Sequence, residues 1–393
     1  MHVVREYTDA ELARMERSIS TDSMLEEAGA HRTIPEAETP AGPSPMPAGG
    51  AGYTAHTHDV EVTVDADSST SSSHLLKKFA HIPLRVRGRA EAWEVPRDQI
   101  RMDVELGRGT GGVVHKAKWR GLECAAKLLS ASSQVSVEYH DMINEITVIS
   151  HLRHPNLVLF LGACTVDEPL LILSEFMAGG SLEEHYNKMR IRLGKPFKPP
   201  RQQLYRWMLD LSRAVCFLHS CTNPIMHRDL KPSNLLLSEH EHLKVSDFGL
   251  CKTMQKVKED GTPYSMTGCT GTKRYMAPEV VLSKPDYDHK VDVYSMAMIF
   301  WYMTQGERPF EQVEPQLISM LASTRGLRPD VKAIHWTAVE DLVERMWDSD
   351  SHLRPECTEI LAMLKALEQE AVFSDTAAGS EYHCNVKCQC AVM

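Results

Sequence analysis

Gly107-Arg108-Gly109-Thr110-Gly111-Gly112-Val113-Val114 sets glycines at the spacing G-x-G-x-x-G, and the residues after it decide what such a loop can be. A dinucleotide-binding turn opens a helix at once and places an acidic residue about 20 positions later to hold a ribose. Here Val113 to Trp119 alternates like a strand, Arg120-Gly121 marks a turn, and a second run from Glu123 to Leu129 delivers Lys127. The glycines therefore lie in a hairpin, where backbone amides can come down over phosphates without side-chain clash. Lys127 would be nearly buried on its strand, which is costly without a counter-charge. The helical pattern that follows, with Glu145, Ile149 and Leu152 on one face, supplies that charge in Glu145. The pair would set an ammonium against α- and β-phosphates.

The chain around this hairpin has 393 residues, 42% of them hydrophobic, so a sizeable core is possible. The net charge of -10 is uneven: residues 1–73 carry -9, residues 74–89 carry +5, and the rest carries -6. No basic stripe runs through it, which argues against a nucleic-acid binder working by phosphate neutralisation. The best apolar run, Val293 to Met303, has about half of the ~20 residues needed to span a bilayer. The start of the chain lacks an apolar signal core, and His2 stands where myristoylation needs glycine. Ten cysteines at irregular spacing favour a reducing compartment.

Residues 8–28 have the pattern of a short helix, with a Thr8/Glu11 capping box and Leu12, Met15 and Ile19 on one face. Prolines between Pro35 and Gly52 and the hydroxyl run Ser68 to Ser73 leave little apolar surface to offset ordering entropy. Residues 1–92 are accordingly expected to be mostly disordered. Lys77, Lys78, Arg85, Arg87 and Arg89 form either a solvated linker or a contact with an anionic membrane, where each charge adds about 1 kcal/mol. Order is expected from about Trp93, with strand-like runs in 101–130 and 157–176. Beyond about residue 200 helical periodicity dominates, as in Leu204, Met208, Leu211 and Val215. A small β-rich part before a larger helical part predicts two lobes and a cleft between them.

Further along stand His227-Arg228-Asp229-Leu230-Lys231-Pro232-Ser233-Asn234, then Asp247-Phe248-Gly249, then Ala277-Pro278-Glu279. With the glycine hairpin and Lys127, this ordered set resembles the eukaryotic protein kinases over roughly residues 93–370. The resemblance implies an α+β, two-lobe fold: a small β-rich N-lobe with one helix, and a larger helical C-lobe. A domain over 93–370 would then be followed by a flexible tail over 371–393. ATP and Mg2+ are the implied cofactors and protein hydroxyls the acceptors. By the same resemblance Asp229 orients the acceptor hydroxyl, Lys231 contacts the γ-phosphate, and Asn234 and Asp247 hold the metal. Nucleotide contacts are implied for Gly107, Arg108, Gly109, Thr110, Gly111, Gly112, Val114, Ala125, Lys127, Glu145, Ser174, Glu175, Met177 and Leu236. Ser174 falls at the gatekeeper position, where a small side chain opens space behind the adenine site.

Other positions also match. Asp292 looks like the aspartate that braces the catalytic loop from a buried helix, which makes 293–303 core rather than membrane. Arg354 looks like the ion-pair partner of Glu279. Lys231 and Gly271-Thr272 resemble the serine/threonine type. Trp93-Glu94-Val95-Pro96, His154-Pro155-Asn156 and Glu175 to Leu182 resemble the tyrosine-kinase-like group, near Raf and mixed-lineage kinases. Cys124-Ala125-Ala126-Lys127 departs from the family by smaller or softer residues, which should loosen packing. Arg228 can pair with a phosphate on the segment 247–279; Thr262, Tyr264, Ser265, Thr267 and Thr270 are hydroxyls there, with Thr267 or Thr270 expected to activate. Thr272 is set aside as a partner of the catalytic loop. A dual-specificity or tyrosine kinase stays open, and a membrane-recruited pseudokinase scaffold is the alternative of another class.

Three of the ten cysteines lie in the last ten residues, and Cys390-Ala391-Val392-Met393 forms a C-a-a-X box with the Met that favours farnesyl. A chance match and a zinc site from His383, Cys384, Cys388 and Cys390 are the competing readings; the spacing fits no zinc finger. One prenyl chain anchors weakly, so Cys384 or Cys388 is expected to be palmitoylated as a second signal. The expected location is cytoplasmic, at a membrane surface.

Overall fold

The computed structural model of the chain describes residues 84–109, 112–129, 137–167, 169–253, 272–284 and 287–368. Thr110, Gly111, the hydroxyls from Thr262 to Thr270, Thr8 to Ile19, Lys77, Lys78 and the cysteines of the tail lie outside them. The chain divides into two compact units between Ala92 and Trp93. In the first, α1 (Leu84–Ala90) is a short helix inside the stretch expected to be mostly disordered. Arg87 pairs there with Glu91 one turn on, at 3.2 Å.

The second unit begins with β1 (Ile100–Gly109), β2 (Gly112–Trp119) and β3 (Leu122–Leu128), followed by α2 (Val137–Ile149), β4 (Phe160–Cys164) and β5 (Leu171–Glu175). The five strands form one antiparallel sheet in the order β1-β2-β3-β5-β4. Arg120 and Gly121 join β2 to β3 with φ of 49° and 84°, the left-handed turn whose twist suits a two-residue hairpin. Alternation along β3 sends Cys124 and Ala126 into the sheet's core with Val95, Ile100, Ala117, Cys164, Leu171 and Leu173. Met102, Trp119, Leu128 and Leu161 pack against that cluster, so both small side chains are fully covered. Ala125 and Lys127 consequently face the other way.

The Trp93-to-Pro96 motif adds an edge to this sheet. Val95 N–H donates to Ala163 O and Ala163 N–H to Trp93 O, at 2.8 and 3.0 Å. Gly162 permits the approach, since a Cβ there would stand 2.8 Å from Trp93 O. Trp93 also meets Phe160 edge to face, with centroids 6.0 Å apart.

Helix α2 places Glu145 and Ile149 on its buried face, but Leu152 lies beyond the helix. The Arg153 guanidinium ends it by donating to the carbonyls of Ile149 and Leu152. The His154-Pro155-Asn156 loop then ties the β-rich lobe to the rest. Asn156 O accepts from Val245 N–H at 2.8 Å, and its side-chain amide donates to Leu243 O at 3.1 Å. His154 Nδ1 accepts from Asn156 N–H, and the ring stacks on Phe217 at 4.9 Å.

The helical lobe carries β6 (Gly180–Ser181), α3 (Leu182–Leu193), α4 (Arg201–His219), β7 (Ile225–Met226), β8 (Leu235–Leu237), β9 (Leu243–Val245) and β10 (Lys252–Thr253). It ends with α5 (Pro278–Val281), α6 (Lys290–Gln305), α7 (Pro315–Arg325), α8 (Thr337–Met346) and α9 (Cys357–Ala366). Leu204, Met208, Leu211 and Val215 are all buried on α4, as their spacing predicts. Helix α6 is buried on nearly every side, so Val293 to Met303 is core. Each such side chain contributes roughly 1.5–3 kcal/mol by burial. Among the described residues no helix is long and apolar enough to cross a membrane. The Arg354 guanidinium meets Glu279 with two parallel bonds of 2.6 and 2.9 Å, both side chains buried.

Two outcomes are expected from this architecture. At Gly112 φ is 136° and a Cβ would stand 2.0 Å from Leu128 O, whereas nothing lies within 4 Å of that position at Gly107. Gly112→Ala should therefore cost at least about 2 kcal/mol in thermal unfolding, while Gly107→Ala stays within about 0.5 kcal/mol. Equal costs would contradict the assignment. Burial, with the Arg213 charge adding to it, pushes His154 down from 6.5 to about 4. The neutral imidazole stabilises the fold fully above about 6.5, and that contribution is lost as pH falls toward 4. His154→Phe should flatten the drop in urea midpoint between about pH 7 and pH 5.

Candidate active site

The two small sheets of the helical lobe position the site. The segment His227–Asn234 hangs between β7 and β8, and Asp247 follows β9. The chain then returns as β10 to pair with β7, Lys252 opposite Met226 and Thr253 opposite Ile225.

Asp292, on buried α6, fixes the first segment. Its Oδ1 accepts from Arg228 N–H and its Oδ2 from His227 N–H, both at 2.9 Å. His219 Nε2 contacts Oδ2 as well, at 2.9 Å. Burial alone would raise the Asp292 carboxyl, but His219 and the donated bonds hold it below the ordinary value. The bond to Arg228 N–H matters because Arg228 is left-handed, with φ of 66°, a conformation costing about 1–3 kcal/mol in a residue with a Cβ.

Asp229 stands at the centre. Its Oδ1 accepts from the Thr272 N–H and hydroxyl at 2.8 and 2.9 Å. Its Oδ2 accepts from Lys231 Nζ at 2.6 Å and Asn234 Nδ2 at 3.3 Å. Asn234 Nδ2 also donates to Asp229 O at 2.9 Å, which turns the amide oxygen the other way. Thr272 thus bonds the catalytic loop, as expected for it.

Lys127 Nζ reaches Glu145 Oε2 at 2.7 Å and Asp247 Oδ1 at 3.0 Å. Burial alone would lower the ammonium, but Glu145 and then Asp247 outweigh it and raise the value. Burial raises Glu145 in spite of Lys127. At Asp247 burial is outweighed by Lys127, and the carboxyl is held below its ordinary range. Asp247 is left-handed too, with φ of 65°.

The remaining expected residues divide. Ser174 lies across from Ala125 on β3 and from Phe160 on β4. Val114, Ala125 and Leu236 are half-buried, and Met177 is buried. The Glu175 carboxylate is taken by Lys244 Nζ, at 2.6 and 2.9 Å, and by Leu159 N–H at 2.7 Å. The Arg108 guanidinium pairs with Glu105 at 3.0 Å, both side chains exposed. Gly107 and Gly109 have nothing within 4 Å of where a Cβ would stand, so the fold's own packing does not demand glycine there. That reserved space, the Lys127 ammonium and the hard oxygens of Asn234 and Asp247 fit a nucleotide triphosphate with Mg2+.

Asn144 and His219 shape the site without belonging to a motif, whereas His227 opens one. Asn144 Nδ2 donates to Gly249 O and Cys251 O, both at 3.0 Å, joining α2 to the segment after Asp247. Its one signal is its place beside Glu145. His219 links Asp292 to Cys357, whose Sγ is 3.3 Å from Nδ1. His227 contacts Ser246 O at 3.0 Å and lies 5.4 Å from the Phe248 ring.

Residues 100–364 match the protein kinase domain family. The chain is 38% identical over 283 residues to the serine/threonine-protein kinase VIK of Arabidopsis thaliana, covering 70% of this chain and 62% of that protein. It is 33% identical over 290 residues to the serine/threonine-protein kinase STY46 of the same plant, covering 74% and 48%. Against the serine/threonine-protein kinase CTR1 of Arabidopsis thaliana the identity is 30% over 287 residues, covering 71% and 33%. The chain thus spans less than two thirds of the length of these relatives. With its β-sheet lobe, its helical lobe and the match over residues 100–364, the chain belongs to the protein kinase family, which uses ATP and Mg2+.

Proposed function

We propose that the chain transfers the γ-phosphate of ATP to serine or threonine hydroxyls of proteins, at the cytoplasmic surface of a membrane. The observation that carries the first part is Asp229, a carboxylate held by Thr272 and Lys231 next to the left-handed Arg228. In the transfer, a bond forms between the acceptor oxygen and phosphorus as the bond to the β-phosphate oxygen breaks. Asp229 orients the acceptor hydroxyl and accepts its proton. Lys127 and Lys231 neutralise phosphate oxygens, and Glu145 keeps Lys127 in place. Mg2+ held by Asn234 and Asp247 would supply further charge neutralisation at the phosphates. The relatives' names support serine and threonine as acceptors. The presence of Lys127, Asp229, Asn234 and Asp247 together speaks against a scaffold that only binds. Phosphorylation of Thr267 or Thr270, answered by Arg228, belongs to the same proposal.

The test is Mg-ATP-dependent labelling of a basic protein, with phosphoamino-acid analysis of the product. Asp247→Ala and Lys127→Met should each lower transfer at least ~100-fold while still folding. Folded variants with wild-type transfer would sink these roles, and phosphotyrosine alone would move the acceptor class.

For location, we infer that Cys390 is farnesylated and that Cys384 or Cys388 is acylated. A prenyl chain gives reversible affinity at about 0.8 kcal/mol per buried methylene, and an acyl chain slows escape. With a tag kept off the C-terminus, wild type should pellet with membranes and Cys390→Ser should be soluble. Cys384→Ser with Cys388→Ser should be intermediate. Intact mass showing an unmodified Met393 end in cells would remove the lipid anchor.

A further inference from the structure

The chain is acidic as a whole, yet between Glu184 and Asp210 it carries seven arginines and lysines and no acidic residue. The whole-chain balance conceals that run. It covers most of α3, the connection to α4 and the start of α4. Leu182 and Tyr186 are buried on the inner face of α3, with Met189 and Leu193 half-buried beside them. Lys188, Ile191 and Arg192, at spacings of three and four, share the outer face and are exposed. Gly194 closes the helix in the left-handed region, with φ of 66°, and the exposed Lys195 follows it. Ile191 is 82% exposed, more than any other large apolar side chain among the described residues.

The charges on the two sides of α3 meet different partners. Arg190 pairs with Glu311 at 3.4 Å and Glu183 with Arg308 at 2.7 Å, so the side toward residues 306–311 is neutralised within the fold. Among the described residues no carboxylate pairs with Arg192 or Lys195. Glu184, the acid nearest to Lys188 along the chain, turns its own carboxylate to the Ser181 N–H at 3.0 Å. One or two cations would complement the C-terminal end of the α3 dipole, but exposed charge continues past it to Lys198 and Arg206. The connection that carries it is fixed. Its Phe197 ring meets His185 and Tyr186 edge to face, with centroids 5.6 and 5.3 Å away, and Pro196, Pro199 and Pro200 restrict its backbone. Unpaired cations around a protruding aliphatic side chain match a surface that is anionic over a wide area and apolar just beneath. A nucleic acid or an acidic peptide would answer the cations and leave Ile191 in water. We propose that the outer face of α3 and the connection after it dock on a bilayer of anionic lipids. Ile191 enters the acyl boundary while Lys188, Arg192 and Lys195 lie at the headgroup phosphates. This contact is separate from the lipid proposed on Cys390 and from the basic residues of 77–89, and it holds without either.

The experiment is cosedimentation of the full chain with vesicles of phosphatidylcholine, alone or mixed with phosphatidylserine. Every form carries Cys390→Ser, so that no prenyl chain contributes and failure of the lipid-anchor reading leaves the result intact. The parent should bind the mixed vesicles and not phosphatidylcholine alone, and should release them as salt rises. Lys188→Glu with Arg192→Glu should weaken binding at least ~10-fold, and Ile191→Ser at least ~3-fold. Lys195→Glu lies beyond the helix and should also cost at least ~3-fold; it decides by the same measure if the helix variants melt early. No binding by the parent, or equal binding to both kinds of vesicle, would overturn the proposal. So would parent-like affinity in Lys188→Glu with Arg192→Glu, which moves the contact to 77–89. Binding that ignores Ile191→Ser and is competed away by polyglutamate or RNA would make the partner a soluble polyanion, and the bilayer reading would fall.

Discussion

Burying a carboxylate costs several kcal/mol unless its lone pairs are filled, and Asp292 fills them with the main chain of the catalytic loop. Its side chain has no exposed surface, so the loop cannot release those bonds to water. The dependence runs both ways. Arg228 stays left-handed because Asp292 holds its N–H, and Asp292 stays buried because the loop supplies donors. Helix α6 is anchored in turn by Lys290, whose Nζ bonds Arg354 O while Arg354 grips Glu279. Asp229 is thus positioned from the deepest part of the helical lobe, where packing leaves little freedom.

A second balance governs the nucleotide side. One ammonium, Lys127, faces two carboxylates with opposite shifts. Burial raises the Glu145 carboxyl in spite of Lys127, whereas Lys127 holds Asp247 below its ordinary range. The environment sorts two similar groups into a buried counter-charge and a hard anionic oxygen suited to a divalent cation. The sorting depends on which face of β3 carries Lys127. Since Cys124 and Ala126 are committed to the core, a one-residue slip in register would put the ammonium among Ala117, Leu171 and Leu173.

Much of this was legible beforehand because it rests on period and side-chain identity. Strand alternation after Gly112 separated a hairpin from a helix-opening turn, and the i, i+4 spacing put Glu145 and Ile149 on one buried face. The Glu279–Arg354 pair and the Asp292 brace were also expected, since each uses charged residues at positions the family resemblance marks. Leu152 escaped because a helix end is set by capping, here by Arg153, and periodicity carries no stop signal. Helix α1 escaped because the basic residues of 77–89 suggest solvation, while the Arg87–Glu91 pair at helical spacing was the local cue to order. Arg108 and Glu175 were assigned by position along the chain. What their side chains do is decided by Glu105 in one case and by Lys244, 69 residues away, in the other.

Asn144 and Arg274, which no motif marks, share one physical trait: they donate to main-chain carbonyls. Asn144 bonds Gly249 O and Cys251 O, and Arg274 bonds Pro309, Phe310 and Val313. A carbonyl has no identity in a sequence, so neither partner pattern nor spacing announces such a bond. Their placement is nonetheless regular. Asn144 and the β7–β10 pairing fix the chain where it leaves Asp247, and Thr272 with Arg274 fixes it where it returns to Asp229. The stretch between Thr253 and Thr272 is entered and left through fixed points. Asp247 and Asp229 are thus each held by bonds made at the two ends of that stretch.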